Sequence, residues 1–184
     1  MTMPPREGST LLTRKTAWPG KFIKLELERV ALPGGAIAEL EIIHHPGASL
    51  VVPILATGDI VLVRQFRHAA GGWLLEAPAG KLDAGEAPEH CAHRELEEET
   101  GFKAATLEKL GVIHTTPGFT DELIHLFVAR DLSDGVMAHE ANEVMSVERH
   151  PSREVLAMLR DGRITDAKTL CALMLLHLRS PLDA

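Results

Sequence analysis

The chain has 184 residues, of which 45% are hydrophobic and 24% charged, as is typical of a globular protein with one substantial core. Its formal net charge of −7 disfavours non-specific binding to nucleic acid, because phosphate groups would be repelled. The two cysteines, Cys91 and Cys171, are too few for a disulfide framework and favour a reduced, cytoplasmic protein. No apolar run predicts a signal peptide or a membrane span.

The first 44 residues are predicted to form a β segment of their own. Residues 1–17 include prolines and glycine without apolar periodicity, and they are predicted to be loosely ordered. Residues 21–32 and 36–45 alternate apolar and polar side chains, which is the period of a strand. The Pro-Gly-Gly run between them predicts a hairpin turn, and hence a small antiparallel sheet.

Residues 45–184 interleave strand and helix patterns, which predicts an α/β or α+β domain around a mixed β-sheet. Strands are predicted at 48–56, 60–68, 71–80 with a break at Pro78, 105–116 and 122–130. Helices are predicted at 87–100, 152–162 and 166–178. Residues 131–143 are polar and are predicted to form a long loop.

The first predicted helix of this domain carries a cluster of glutamates near its C-terminal end. Because a helix turns about 100° per residue, Glu95, Glu98 and Glu99 share one face within an arc of roughly 100°. Glu97 points away and is expected to face solvent. Like charges at this spacing destabilise a helix, and the macrodipole disfavours them near its C-terminus. Such a local conflict with stability is expected of a functional site.

A divalent cation such as Mg²⁺ or Mn²⁺ resolves this conflict, since hard cations take carboxylates, water and substrate phosphates as ligands. Bound cations also allow a chain with a net charge of −7 to attract an anionic substrate. The alternative is an ordinary charged helix face in water. The residues around the glutamates decide between the two interpretations.

Residues 80–102, GKLDAGEAPEHCAHRELEEETGF, resemble the Nudix box, a motif with nine specified positions at fixed spacing. The matching residues are Gly80, Glu86, Arg94, Glu95, Leu96, Glu98, Glu99, Gly101 and Phe102. A match at every specified position is very improbable by chance. The resemblance implies a Nudix hydrolase, with an α/β/α sandwich around a mixed sheet. Such enzymes cleave a nucleoside diphosphate linked to another moiety, using several Mg²⁺ or Mn²⁺ ions.

The resemblance also implies which groups hold the metal ions. Glu95, Glu98 and Glu99 match the family's metal-binding glutamates, and the backbone carbonyl of Ala79 matches its carbonyl ligand. Glu98 is therefore a candidate for catalysis as well as for metal binding. In such a site the ions neutralise the pyrophosphate and lower the pKa of the attacking water.

Four further box residues are implied to have structural roles. Glu86 and Arg94 are implied to hold the loop against the helix through an ion pair, with Glu86 alternatively an outer ligand of the metal. Gly80 and Gly101 are implied to permit backbone turns that a Cβ atom would obstruct.

The flanking sequence resembles ADP-ribose pyrophosphatases and related nucleotide-sugar hydrolases. The similar segments are 62–86, 115–122 and 162–170, and Pro117 falls where that group carries a proline. The resemblance implies hydrolysis of ADP-ribose to AMP and ribose 5-phosphate. Two alternatives stay open: the same chemistry on another nucleoside diphosphate sugar such as GDP-mannose, and a non-catalytic module that senses a nucleotide.

Six residues are candidates for substrate binding, and Pro117 is one of them. Arg67 occupies the family's Gln-Phe-Arg position and is favoured for a phosphate contact, because a guanidinium matches phosphate oxygens. Arg64 is a second candidate, or a charge on the strand surface. Glu76 is either a hydrogen-bond acceptor for the substrate or a solvated acid. Trp18 and Phe22 are candidates for an adenine contact, or are packing residues.

The resemblance further implies a general base in a loop after the box. Glu143 is the first choice because it precedes an alternating strand pattern, and Glu140 is the second; either is alternatively a plain surface acid. The resembled group also implies a homodimer that forms through the N-terminal β segment.

Overall fold

The computed structural model describes residues 8–139 and 143–182, which divide into two compact units. The first unit contains residues 8–47 and 114–123, and the second contains the remaining described residues. The domain boundary expected at residue 44 stays a prediction.

The first unit is built on a three-stranded antiparallel sheet with the order β1-β2-β3. Its strands are β1 (Thr10–Pro19), β2 (Lys24–Ala31) and β3 (Ile37–His44). The predicted hairpin joins β2 to β3, and the Leu32 N–H closes its turn by donating to the Ala36 carbonyl at 2.8 Å. The loose order predicted for residues 1–17 is wrong from Thr10 onward, because β1 pairs with β2 along its length.

The strand β2 buries its two glutamates and exposes Leu27. Glu28 is 1% exposed, whereas Leu27 on the other face is 42% exposed. Arg14 on β1, directly opposite Glu28, places its Nη2 atom 2.7 Å from the Glu28 Oε1 atom. Cross-strand charge pairing therefore stabilises β1, a contribution that apolar periodicity does not reveal.

The second unit contains a three-stranded sheet with the order β10-β5-β6 and a four-stranded sheet with the order β7-β4-β9-β8. The strands are β4 (Ala48–Pro53), β5 (Asp59–Arg67), β6 (Gly72–Glu76), β7 (Ala79–Lys81), β8 (Phe102–His114), β9 (Leu123–Asp134) and β10 (Met145–Pro151). The helices are α1 (Pro88–Thr100), α2 (Ser152–Asp161) and α3 (Ala167–Arg179). Since β9 continues to Asp134, the predicted loop is wrong for residues 131–134.

The two sheets are covered by helices on both faces. Leu50 of β4 joins a core that includes Leu173 of α3, and its neighbour Val51 joins a separate core with Leu96 of α1. Strands buried on both faces have continuous apolar sequences, as β4 and β5 do. The mixed pairing, with β4 parallel to β9 and antiparallel to β7, confirms the predicted α+β fold around a mixed sheet.

Among the described residues, no helix combines the length and the apolar character needed to cross a membrane.

Candidate metal and active site

The helix α1 and the strand β7 are held side by side through β4. Ala79 and Gly80 of β7 pair with Leu50 and Ser49 of β4. The Ser49 hydroxyl in turn donates to the carbonyl of Pro88, the first residue of α1, at 2.8 Å. The backbone of β7 is thereby fixed against the helix that carries the glutamates.

Two of the three clustered glutamates are buried. Glu99 is 3% exposed and Glu95 is 9% exposed, whereas the Glu98 side chain is 41% exposed. Burial raises the pKa of Glu99 to about 8, and the charges of Glu95 and Glu143 add to this effect. Burial also raises the pKa of Glu95, although Arg94 opposes the shift. The site therefore gathers buried carboxyl groups whose charged forms need a cation.

The backbone of β7 fits closely around these carboxylates. The Ala79 N–H donates to Glu99 Oε2 at 3.2 Å. A Cβ atom on Gly80 would lie 1.9 Å from Glu95 Oε1, so only glycine leaves room for this carboxylate. A donor set of clustered carboxylate oxygens suits a hard divalent cation. Glu95, Glu98 and Glu99 therefore fit the metal site expected of a Nudix protein.

Arg94 links the box loop to the glutamate cluster. The predicted ion pair is present: Arg94 Nε and Nη2 donate to Glu86 at 3.0 and 2.9 Å. The same guanidinium approaches Glu95 at 2.5 Å and Glu98 at 3.1 Å through Nη1. The hydrogen bonds from Arg94 hold the pKa of Glu86 at about 2, so Glu86 stays charged and keeps the loop docked.

Arg67 and Glu76 form an ion pair beside the cluster, in which Glu76 is buried and the Arg67 side chain is 40% exposed. Arg67 Nε and Nη2 each donate to a Glu76 oxygen at 2.8 Å, and Lys168 donates to the same carboxylate. Burial alone would raise the pKa of Glu76, but Arg67 and Lys168 outweigh it and lower the pKa. Glu76 is 1% exposed, so the simple solvated acid considered from sequence is excluded.

Sequence reasoning missed Lys168 and Asp166 as members of this network. Asp166 accepts from Lys168 Nζ at 2.9 Å and, as the N-cap of α3, from the Thr169 N–H at 3.0 Å. Both residues lie in the segment 162–170 that resembles the nucleotide-sugar hydrolases, which was the available signal.

The other candidates lie as follows. Glu143 is partly buried just before β10, and its charge contributes to the raised pKa values of Glu95 and Glu99. Glu140 lies outside the described residues. Arg64 is exposed and lies over the Trp73 ring, 5.7 Å from its centroid.

Three candidates belong to the first unit. Trp18 is 55% exposed, Phe22 is 56% exposed, and Pro117 is exposed in the loop before β9. A buried packing role is therefore excluded for the two aromatic residues within the single chain.

The first unit has its own charged cluster of Glu26, Glu28 and His44, whose ligand-type atoms lie within 4.8 Å of one another. Arg14 already supplies a cation there, with its Nε atom 2.8 Å from Glu26 Oε2 and its Nη2 atom 2.7 Å from Glu28. Glu26 Oε2 makes no hydrogen bond of good geometry, but this contact satisfies its charge. Asp121 pairs with the far side of the His44 ring at 2.5 Å. The cluster is thus an ion-pair network.

Several known proteins are similar to this chain in sequence over most of its length. The chain is 38% identical over 175 residues to the ADP-ribose pyrophosphatase of Bacillus subtilis (strain 168), an alignment that covers 94% of this chain and 95% of that protein. It is 38% identical over 178 residues to the methanol dehydrogenase activator of Bacillus methanolicus, which covers 96% of each. The GDP-mannose pyrophosphatase of Cronobacter sakazakii (strain ATCC BAA-894) is 40% identical over 147 residues, or 74% of this chain and 76% of that protein.

A solved structure described as an ADP compounds hydrolase has the same fold. It superposes with a TM-score of 0.80, covers 95% of this chain and 97% of its own, and is 23% identical in sequence. The sequence model of the NUDIX domain matches residues 43–173, a span that includes the box and most of the second unit. The chain therefore belongs to the Nudix family.

Proposed function

We propose that this protein hydrolyses the pyrophosphate bond of ADP-ribose, giving AMP and ribose 5-phosphate, with Mg²⁺ or Mn²⁺ as the cofactor. The observation that carries this proposal is the carboxylate cluster of Glu95, Glu98 and Glu99 against the glycine backbone of β7. The high identity to an ADP-ribose pyrophosphatase over nearly the whole chain supports the choice of substrate.

The proposed roles of the side chains are supported by where these side chains lie. Bound divalent ions would neutralise the two phosphates and lower the pKa of the attacking water. Glu95, Glu98 and Glu99, with the Ala79 carbonyl, would hold the ions, and Glu143 is proposed to accept a proton from the attacking water. Arg67, oriented by its two hydrogen bonds to Glu76, contacts a phosphate oxygen.

Further candidates for substrate binding are proposed on each unit by itself. Arg64 is the second candidate for a phosphate contact, since its guanidinium is exposed. Trp18 and Phe22 offer exposed aromatic faces on which an adenine can stack. Pro117 is proposed to shape the loop on which it lies.

A second candidate substrate is GDP-mannose. The 40% identity to a GDP-mannose pyrophosphatase favours it, although that alignment covers less of the chain. A nucleotide sensor without activity is less well supported, because every glutamate of the box is present.

A substrate panel tests the proposal. Turnover of ADP-ribose, GDP-mannose, UDP-glucose, NADH and diadenosine polyphosphates is followed by phosphate release through a coupled phosphatase, without metal and with Mg²⁺ or Mn²⁺. We expect the highest kcat/KM for ADP-ribose and no turnover without metal. A higher kcat/KM for GDP-mannose would support the hydrolysis of a pyrophosphate bond but would overturn the choice of adenine as the nucleobase of the substrate. No turnover with either metal would favour the sensor.

We also propose that the protein is a homodimer that forms through the N-terminal sheet. This sheet exposes large apolar side chains at Leu11, Leu12, Trp18, Leu27, Ile37 and Leu40. A cluster of exposed apolar residues on one small sheet is typical of an interaction surface.

Sedimentation equilibrium tests the dimer. Leu27→Lys is expected to lower the measured mass toward that of a monomer, because the lysine would place a charge in the interface. Leu178→Lys changes an exposed leucine of α3 and serves as the matched control, which is expected to keep the dimer mass. A monomeric wild type would contradict the proposal.

A further inference from the structure

In the first unit, the segment 119–122 lies against the last residues of β3. The Ile43 N–H donates to the Phe119 carbonyl at 2.8 Å, and the Asp121 N–H donates to the Ile43 carbonyl at 3.3 Å. The Asp121 side chain adds a further contact, because its Oδ1 atom accepts from the His45 N–H at 2.9 Å. The carboxylate of Asp121 is therefore one of the groups that hold this segment on the N-terminal sheet.

The His44 ring lies between this segment and the strand β2. Its Nδ1 atom is 2.5 Å from Asp121 Oδ2, and its Nε2 atom is 3.0 Å from Glu28 Oε1. An ionised carboxylate can only accept hydrogen bonds, and a ring nitrogen without a proton can only accept as well. Both contacts are therefore hydrogen bonds only when both ring nitrogens carry protons, which makes the ring a cation.

The two carboxylates on either side of the ring are shielded from water. The Glu28 side chain is 0% exposed and that of Asp121 is 15% exposed. A shielded carboxylate that faces a lone pair instead of a donor is destabilised. Glu28 belongs to the central strand of the sheet, whereas Asp121 belongs to a loop, so loss of a ring proton is expected to open the Asp121 contact.

The other charged groups that face the ring come from β1 and β2. Glu26 Oε2 lies 3.2 Å from His44 Nε2, and Arg14 pairs with both Glu26 and Glu28. Lys24, which is exposed, lies directly opposite His44 in the β2–β3 pairing. Of these side-chain types, histidine is the one whose charge ordinarily changes between about pH 5 and pH 8.

The neighbouring His45 has a different arrangement. Its Nδ1 atom accepts from the Gly47 N–H at 3.1 Å, so this nitrogen carries no proton. Its approach to Glu122 Oε1, at 3.4 Å, is therefore not a hydrogen bond donated by Nδ1. The hydrogen bond from His45 to Asp121 uses the backbone N–H, which does not titrate in this range.

We propose that His44 is a pH-sensitive clasp for the segment 119–122. The charged ring donates to Glu28 and Asp121 at the same time and holds the segment on the sheet. As pH rises, the ring loses one proton, the hydrogen bond to Asp121 is lost and the segment opens more often. This inference does not depend on the proposed hydrolysis.

The first test is an NMR titration of the wild-type protein. Nitrogen-15 spectra of the histidine rings, with His44 assigned through bonds from its backbone, report which ring nitrogens carry protons. We expect both nitrogens of His44 to be protonated at pH 5.5 and one of them to be unprotonated at pH 8.5. A ring that is neutral at pH 5.5, or still charged at pH 8.5, would overturn the proposal.

The second test is hydrogen exchange of the Ile43 and Asp121 amides, corrected for the intrinsic effect of pH. One linked proton changes an equilibrium by up to about tenfold per pH unit, so we expect protection in the wild type to fall at least about tenfold between pH 6 and pH 8.5. In His44→Gln, which has no ring charge to lose, the change should be less than about twofold. His45→Gln is the matched control and should keep the wild-type fall.

A reference amide separates opening of the segment from a change in overall stability. The Val51 N–H, which donates to the Pro78 carbonyl at 2.9 Å in the second unit, should show no difference between the wild type and His44→Gln. An equal fall at Ile43 and Asp121 in the wild type and His44→Gln would overturn the clasp. Loss of the fall in His45→Gln alone would also overturn it, because His45 would then be the titrating group. The NMR titration needs no substitution and therefore decides the proposal even if His44→Gln does not fold.

Discussion

Glu99 is buried although its neighbours do not neutralise it. Among the described residues, its oxygens receive one hydrogen bond, from the Ala79 N–H, while Glu95 and Glu143 act on it as like charges. These surroundings raise the pKa of Glu99 to about 8. A charged carboxyl group in such a position lowers the stability of the protein, and under the proposed function a bound cation would compensate for this cost.

Glu99→Gln should therefore raise the stability of the metal-free protein at higher pH while it lowers the activity. Below its folded pKa of about 8 and above its ordinary value of 4.5, the folded protein holds one more proton than the unfolded chain. The free energy of unfolding of the metal-free protein should fall as pH rises through this window. The variant should lack this loss and should lose kcat by orders of magnitude. Thermal unfolding in chelator between pH 5 and pH 8 measures the pH dependence of stability, and kcat with Mg²⁺ measures the loss of activity. Unchanged turnover in Glu99→Gln would contradict the proposed role of Glu99 in metal binding.

Gly80→Ala should weaken the metal site while the fold is kept. The new Cβ would overlap the Glu95 carboxylate, which can rotate away but would then leave the cluster. We expect a lower affinity for Mn²⁺ in calorimetry and a lower kcat. Gly72→Ala is the control, because a Cβ there meets no atom within 4 Å. Equal affinities in the two variants would show that the Glu95 position is not required.

His125 should make the protein sensitive to acid. It is buried on β9, and its Nδ1 atom has no hydrogen bond within the part of the chain that the structure describes. Burial, with a smaller effect of Lys109, lowers its pKa. The unfolded chain takes up a proton near the ordinary pKa of 6.5, whereas the folded protein resists it, so stability should be lost as pH falls below that value. His125→Leu should reduce this loss in urea unfolding between pH 7 and pH 5. An unchanged pH dependence would exclude His125 as a source.

At the scale of secondary structure, the first turn of α3 is connected to the end of β6. Asp166 caps the helix by accepting from the Thr169 N–H, and the Thr169 hydroxyl accepts from the Ala77 N–H at 2.8 Å. Lys168 from the same turn pairs with Glu76. One helix N-terminus therefore supports both the strand before the box and the Arg67–Glu76 pair.

Asp166→Ala should lower the free energy of unfolding by about 1 kcal/mol, since it removes the N-cap acceptor of α3. Urea unfolding measures this change. Asp161→Ala is the control, because Asp161 is exposed and pairs only with Arg163 among the contacts described for it. Asp166→Asn keeps a capping oxygen and should lose less stability than Asp166→Ala. Equal effects at the two aspartates would contradict the capping role.

The helix α1 and its glutamate face could be predicted from the sequence because local signals define them. Pro88 and Gly101 mark its ends, and helical periodicity brings the three glutamates together. The strand β1 could not be predicted, since it depends on pairing with β2. The expectation that Glu97 simply faces solvent is wrong for the same reason, because its Oε1 atom accepts from the Val136 N–H, which lies 39 residues away in sequence.

For the whole molecule, a net charge of −7 repels an anionic substrate, and bound divalent cations would offset this repulsion. Glu95, Glu98 and Glu99 lie on one helix, Arg94 is shared between two of them and Glu86, and Arg67 is paired with Glu76. Most of the nearby positive charge is thus already matched by carboxylates. We therefore expect that a diphosphate does not bind without added metal, rather than that metal only strengthens its binding.

The most direct test is to identify the products formed from ADP-ribose by the metal-stripped protein, before and after Mg²⁺ is added. Ion-exchange chromatography separates AMP, ribose 5-phosphate and the remaining substrate. We expect no reaction in chelator, and equal amounts of AMP and ribose 5-phosphate once Mg²⁺ is present. Hydrolysis at the same rate in chelator, or intact ADP-ribose in the presence of both Mg²⁺ and Mn²⁺, would contradict it.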